Sequence, residues 1–170
     1  MNPQSNLSHS MESDCFENCV NALKNKILLR GNLPHASCKR QLEVIDQLCQ
    51  FPLGRYILER RGANGFWTDY MVSHPSNGKI SGLNNEGKPF TFLESFFLNQ
   101  CPIVVAHQER FMIFQKLAQS LLKENVVLAS IPCGLMRDLL TLDFSNIDHF
   151  GLIGVDIDTE SLDFAKELGN

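Results

Sequence analysis

Long apolar runs are missing from this sequence, and with them any expectation of a membrane span. A spanning helix needs roughly 18 consecutive apolar residues, whereas the greasiest window, Cys101 to Leu122, is broken by His107, Gln108, Glu109, Arg110 and Lys116. A surplus of positive charge is missing too. The net charge is −4, which provides no global field to hold a phosphate backbone, so nucleic acid is not an expected partner. The segment Met1 to Ser13 is polar, with neither a basic n-region nor an apolar h-region. No secretory signal is therefore read, and a cytoplasmic location is expected. The six cysteines, at positions 15, 19, 38, 49, 101 and 133, form no C-x-x-C pair, a pattern of reduced, mostly buried thiols rather than of a disulfide framework. Cys15, Cys19, His35 and Cys38 match no common zinc spacing and the five histidines are isolated, so no metal is expected. The sequence also lacks a Ser/His/Asp order, a paired-carboxylate pattern and a phosphate-binding P-loop.

What is present is enough apolar material for a core. Of 170 residues, 44% are hydrophobic and 20% charged, close to the averages of soluble globular proteins. The length suits one domain, or a small domain beside part of another. Phe16, Val20, Leu23 and Ile27 recur at helical spacing and predict a first amphipathic helix from Asp14 to Leu29, with Gly31 and Pro34 as the stop. Ser37 can cap a second helix, whose stripe is Leu42, Ile45, Leu48 and Cys49, before Pro52 breaks it. Leu53 to Arg60 predicts a further short helix. An aromatic cluster, Phe66-Trp67-Thr68-Asp69-Tyr70-Met71, follows. Residues 73–89 are rich in Ser, Asn, Gly and Pro and predict a surface loop or irregular hairpin without a core. Thr91 to Asn99 and Ile103 to Leu122 predict two more helices, with Pro102 in the first turn of the longer one.

The character of the chain then changes. Val126 to Ile131 is a short, continuously apolar run with branched side chains, as expected of a parallel strand buried on both faces. Pro132-Cys133-Gly134 ends it, Leu135 to Leu142 reads as a helix, and Gly151 to Ile157 as a second buried strand. Thr159 to Leu168 is a following helix with Thr159 or Asp158 at its N-cap. This order is a βαβ unit with its next helix, the building block of doubly wound sheets. The expected organisation is a mainly helical region over residues 1–123 and an α/β region over 124–170, which stops after the second strand where a doubly wound sheet normally has five or more.

A βαβ unit that binds a nucleoside needs two features about 20 residues apart: a sharp turn with a small residue after the first strand, and a carboxylate at the end of the second to accept the ribose hydroxyls. Gly134 and Asp156 stand at these places. Ala129-Ser130-Ile131-Pro132-Cys133-Gly134-Leu135-Met136-Arg137-Asp138-Leu139-Leu140, followed by Ile153-Gly154-Val155-Asp156-Ile157-Asp158-Thr159-Glu160-Ser161-Leu162 and Ala165, resembles the first two motifs of class I S-adenosylmethionine-dependent methyltransferases. The resemblance covers residues 126–168 and implies a partial Rossmann-type fold with S-adenosylmethionine as cofactor and a methyl acceptor that the sequence does not name.

Carried over by position, Asp156 would hold the ribose, Asp158 would assist it or cap the helix, and Gly134 would lie beneath the methionine moiety. Pro132 and Cys133 would line the same turn, although a buried, inert thiol is the simpler reading of Cys133. The family's acidic strand residue and two of its three glycines are not matched here, where the sequence offers Ser130, then Pro132, Cys133, Gly134, Leu135 and Met136. Asp138 or an upstream group would have to receive the methionine amino group. Arg110 has the fork geometry to pair with the methionine carboxylate. Trp67 and Tyr70 would pack over the cofactor or simply in a core.

Two rivals accompany this reading. One is a non-catalytic binding or assembly module derived from such an enzyme; two strands with unpaired edges would then favour self-association into a homo-oligomer. The other is a nicotinamide-type domain, which shares Asp156 but wants the G-x-G-x-x-G signature absent here.

Overall fold

The structure is a computed structural model that describes residues 15–169. Among these residues the fold is α/β: nine helices and one two-stranded parallel sheet. The chain forms two compact units. The first comprises the described residues up to Ala63 together with Phe90–Phe96, and the second Asn64–Pro89 with the segment from Phe97 onward. Compactness therefore does not divide the chain at residue 123, the boundary read from the sequence. The helices immediately before the first strand belong with the sheet.

The first unit is built on α1 (Phe16–Arg30), α2 (Cys38–Leu48) and α3 (Pro52–Arg60), which pack on one another. Their starts follow local chemistry. The Ser37 hydroxyl accepts the Arg40 N–H at 3.1 Å, and Pro52 opens α3, where the missing N–H costs no helical bond. Val20 and Ile27 of α1 are buried, as are Phe51 and Leu53 at the start of α3. Asp14, where the first helix was expected to begin, lies outside the described residues.

The second unit contains α4 (Gly65–Ser73), α5 (Gly78–Ser81), the later part of α6 (Phe92–Gln100), α7 (Pro102–Ser120), β1 (Val126–Ser130), α8 (Arg137–Leu140), β2 (Phe150–Gly154) and α9 (Thr159–Leu168). The aromatic cluster forms α4, because the Asn64 side chain accepts the Trp67 N–H at 3.1 Å and starts the helix. The segment from 73 to 89 is not wholly surface. Ser73 and His74 are buried, and α5 interrupts the loop.

β1 and β2 pair in parallel, with Val126 opposite Phe150 and Ser130 opposite Gly154. One face of this pair is packed. Ala118 of α7, Cys133, Met136, Leu139 of α8, Leu142 and Ala165 of α9 make the buried cluster, with Leu128 of β1 and Leu152 of β2 against it. The other face is open among the described residues, with Val127, Ala129 and Ile153 exposed. This corrects the expectation of strands buried on both sides. Alternation along each strand places every second apolar side chain away from the helices.

α7 is fixed by a buried polar group. Gln108, 6% exposed, donates from Nε2 to the Met71 carbonyl at 3.0 Å and to the Leu98 carbonyl at 2.9 Å, joining α7 to α4 and α6. Gln108→Ala would strand two carbonyls in the interior, a loss of about 1–3 kcal/mol. Urea titration should show a lower midpoint with an unchanged slope.

Candidate cofactor site

The expected helix over Leu135 to Leu142 is reduced to the single turn of α8. Gly134 and Met136 both adopt the left-handed region, with φ of 50° and 57°, so the chain leaves β1 through a bend and becomes helical only at Arg137. The bend returns the backbone to β2. Beyond the strand ends, Val155 donates to the Ser130 carbonyl at 3.1 Å and Cys133 donates to the Val155 carbonyl at 3.0 Å. β2 itself ends at Gly154, so Asp156 stands in the loop just past the strand rather than on it.

That loop brings Asp156 and Gly134 together. Asp156 Oδ2 accepts the Gly134 N–H at 2.7 Å and its Oδ1 accepts the Asp158 N–H at 3.0 Å. The carboxylate thus bridges the loops that follow the two strands at their carboxyl ends. Asp158 occupies the N-cap position of α9, yet its side chain does not cap the backbone; Oδ2 accepts the Ser161 hydroxyl at 2.7 Å instead. Asp138 Oδ2 accepts the Ser130 hydroxyl at 2.8 Å, so the residue expected near the methionine end is tied to the last residue of β1.

The other sequence candidates separate from this group. Pro132 is exposed in the turn. Cys133 is buried in the apolar cluster, and burial, followed by the Asp156 charge, pushes its thiol above the usual range. Arg110 is exposed on α7, where its Nη2 pairs with His107 Nε2 at 2.8 Å, one turn earlier on the same helix. Burial, followed by the guanidinium, lowers the His107 pKa. Arg110 is thus placed with a neighbour on its own helix rather than with the Gly134–Asp156 group.

Three contacts were not legible in advance. Gly65, the first residue of α4, lies against the bend: a Cβ there would stand 2.9 Å from Gly134 Cα and closer still to Ser161 Oγ. The N-terminus of α4 therefore sits directly over Gly134 and the first turn of α9. Asp69 of α4 receives Arg137 in a two-pronged pair, Nε to Oδ1 and Nη2 to Oδ2, the second at 2.9 Å. That pair raises the Arg137 pKa. Trp67 packs edge-to-face with Phe66 and Tyr70, at ring distances of 5.1 and 5.6 Å, and Phe66 similarly meets Phe164 of α9 at 6.3 Å. The aromatic segment thus joins α4 to α9.

No family model and no curated protein matches this chain. A solved structure does. It is described as a possible exported protein from Bordetella parapertussis, superposes with a TM-score of 0.77 and is 34% identical over 99% of this chain and 52% of that one. The chain spans about half the length of this similar protein. The likeness corrects the cytoplasmic location read from the sequence. Unpaired cysteines and an average composition occur in exported and cytosolic chains alike, and Met1 to Ser13, on which that reading rested, lie outside the described residues.

Two outcomes follow from this geometry. Iodoacetamide at pH 8 should modify Cys133 at least about tenfold more slowly than the exposed Cys15, because both burial and a raised pKa withhold the thiolate; peptide mass mapping reads the ratio. Gly65→Ala should cost about 1–3 kcal/mol, as overpacking does where backbone is the obstacle, and thermal unfolding measures it.

Proposed function

We propose that the second unit is the Rossmann-type cofactor-binding part of an S-adenosylmethionine-dependent methyltransferase, acting on an acceptor that remains to be identified. The observation that supports it is the 2.7 Å contact between the Asp156 carboxylate, in the loop just past β2, and the Gly134 N–H in the bend after β1. A carboxylate oxygen accepts more than one hydrogen bond. Asp156 can therefore hold both loop N–H groups and still receive ribose hydroxyls. Gly134 is faced by Gly65 of α4, so the reading places the ligand contacts on the carboxylates, and Asp138 keeps acceptor capacity beside the Ser130 hydroxyl for an ammonium group. These residues fit the cofactor. When bound, its sulfonium supplies the methyl group; the chain's own groups bind and orient it and exclude water.

A second reading, a non-catalytic assembly module, is favoured by one observation: both oxygens of Asp156 already hold backbone N–H groups, as a purely structural carboxylate would. Calorimetric titration with S-adenosylmethionine and S-adenosylhomocysteine separates the two. The methyltransferase reading expects micromolar binding that Asp156→Ala weakens by about tenfold or more, equivalent to about 1.4 kcal/mol. No heat from either compound, together with a loss of stability in Asp156→Ala, would establish the module instead. Preference for NAD would favour the nicotinamide-type alternative.

A further inference from the structure

One face of α7 is committed to the fold and another is not. Val104, Gln108 and Ala118 are buried along the first. The second carries Ile103, His107, Arg110, Phe114, Leu117 and Leu121, each three or four positions from the next. This alternation keeps the side chains in one row along a helix and is the heptad spacing of a seam between paired helices. Ile103 is 73% exposed, Phe114 48%, Leu117 59% and Leu121, at the C-cap, 65%. Ile113, also 59% exposed, lies along one flank of the row. A helix that buries one stripe in its own fold ordinarily turns polar residues outward on the others; α7 turns out a second apolar one.

The order of residues along the row identifies what covers it. A second copy of α7 laid antiparallel on the first, about a two-fold axis at Met112, sets Ile103 against Leu121, His107 against Leu117 and Arg110 against Phe114, each pair occurring twice. The apolar ends of the row thus meet apolar ends, and each Arg110 guanidinium meets a ring of the other copy, to which a cation is attracted. A parallel pair would instead set Arg110 against Arg110, with like charges in contact. Antiparallel helices also oppose their dipoles. The area suffices: the five apolar side chains expose roughly 600 Å² in each copy, at about 200 Å² for a large side chain. Two copies together then bury about 1,200 Å², the lower end of specific interfaces.

We propose that the Ile103–Leu121 row of α7 is the interface of a homodimer, in which two copies pair antiparallel and Arg110 of each stacks on Phe114 of the other. Self-association then runs through a helix rather than through the unpaired strand edges. This does not rest on the cofactor reading, since the row lies outside the Gly134–Asp156 group.

Light scattering over a concentration series reaching about 0.1 mM, the range suited to a small interface, should show the 170-residue chain passing from monomer to dimer. Leu117→Asp and Leu121→Asp, at exposed positions that the fold does not use, should each raise the dissociation constant about tenfold or more by placing a charge in an apolar contact. Phe114→Glu should leave it within about threefold, because the new carboxylate meets Arg110 of the other copy. Arg110→Glu should weaken the dimer about tenfold, and Arg110→Glu combined with Phe114→Arg should restore it. Circular dichroism checks that each variant is folded. A monomer throughout the series overturns the proposal. A dimer indifferent to Leu117→Asp and Leu121→Asp also overturns it, and slowed exchange of β1 and β2 amides with rising concentration would assign that dimer to the strand edges. A dimer lost in Phe114→Glu and not recovered in the double variant overturns the antiparallel pairing.

Discussion

The carboxylate of Asp156 is the constraint on which the arrangement around the sheet depends. It accepts the N–H of Gly134 from the loop after β1 and that of Asp158 from the loop after β2. Two irregular loops would otherwise leave these donors to water, and the bend at Gly134 and Met136 would have no reason to hold its left-handed geometry. Hydrogen bonds to an ionised group contribute about 1.5–3 kcal/mol, more than neutral ones. One side chain thus fixes where β1 turns, where α9 begins and how the intervening backbone is spaced.

A second set of interactions holds α4 over that bend. The Asp69–Arg137 fork joins α4 to α8, Gln108 joins the end of α4 to α7, and Phe66 joins its start to α9. The fork fixes angle as well as distance, because a guanidinium and a carboxylate meet in a plane. Arg137 and Asp69 are partly buried, so this pair is screened less than a surface ion pair. The covered side of the sheet therefore owes its order to polar contacts at its rim as well as to the apolar cluster at its centre.

The sequence made some of this legible and hid the rest for identifiable reasons. Ser37 and Pro52 mark helix starts through groups that act within one turn, and the branched runs around Val126 and Gly151 mark strands because nothing else suits such runs at that length. The nearness of Gly134 and Asp156 is legible for the same reason, as each stands in the loop that follows one of these runs. Met136 carries no feature that announces a positive φ, so α8 was read too long. Asp69 and Arg137 lie 68 positions apart, and Gln108 meets Met71 across 37; such partners are chosen by tertiary packing and leave no local trace. Arg110 lies beside His107 on α7, a neighbour that helical spacing by itself makes available. Cellular address is not encoded in core composition, which is why the likeness to a possible exported protein overturns that reading.

Gly65, Gly134 and Ser161 come from three separate stretches of the chain yet meet at one point, where a Cβ on Gly65 would strike both of the others. They behave as a single steric unit whose size is set jointly. A larger residue at position 65 would fit only if α4 lifted or Ser161 shrank, so the tolerance of that position is set by residues far from it in the chain.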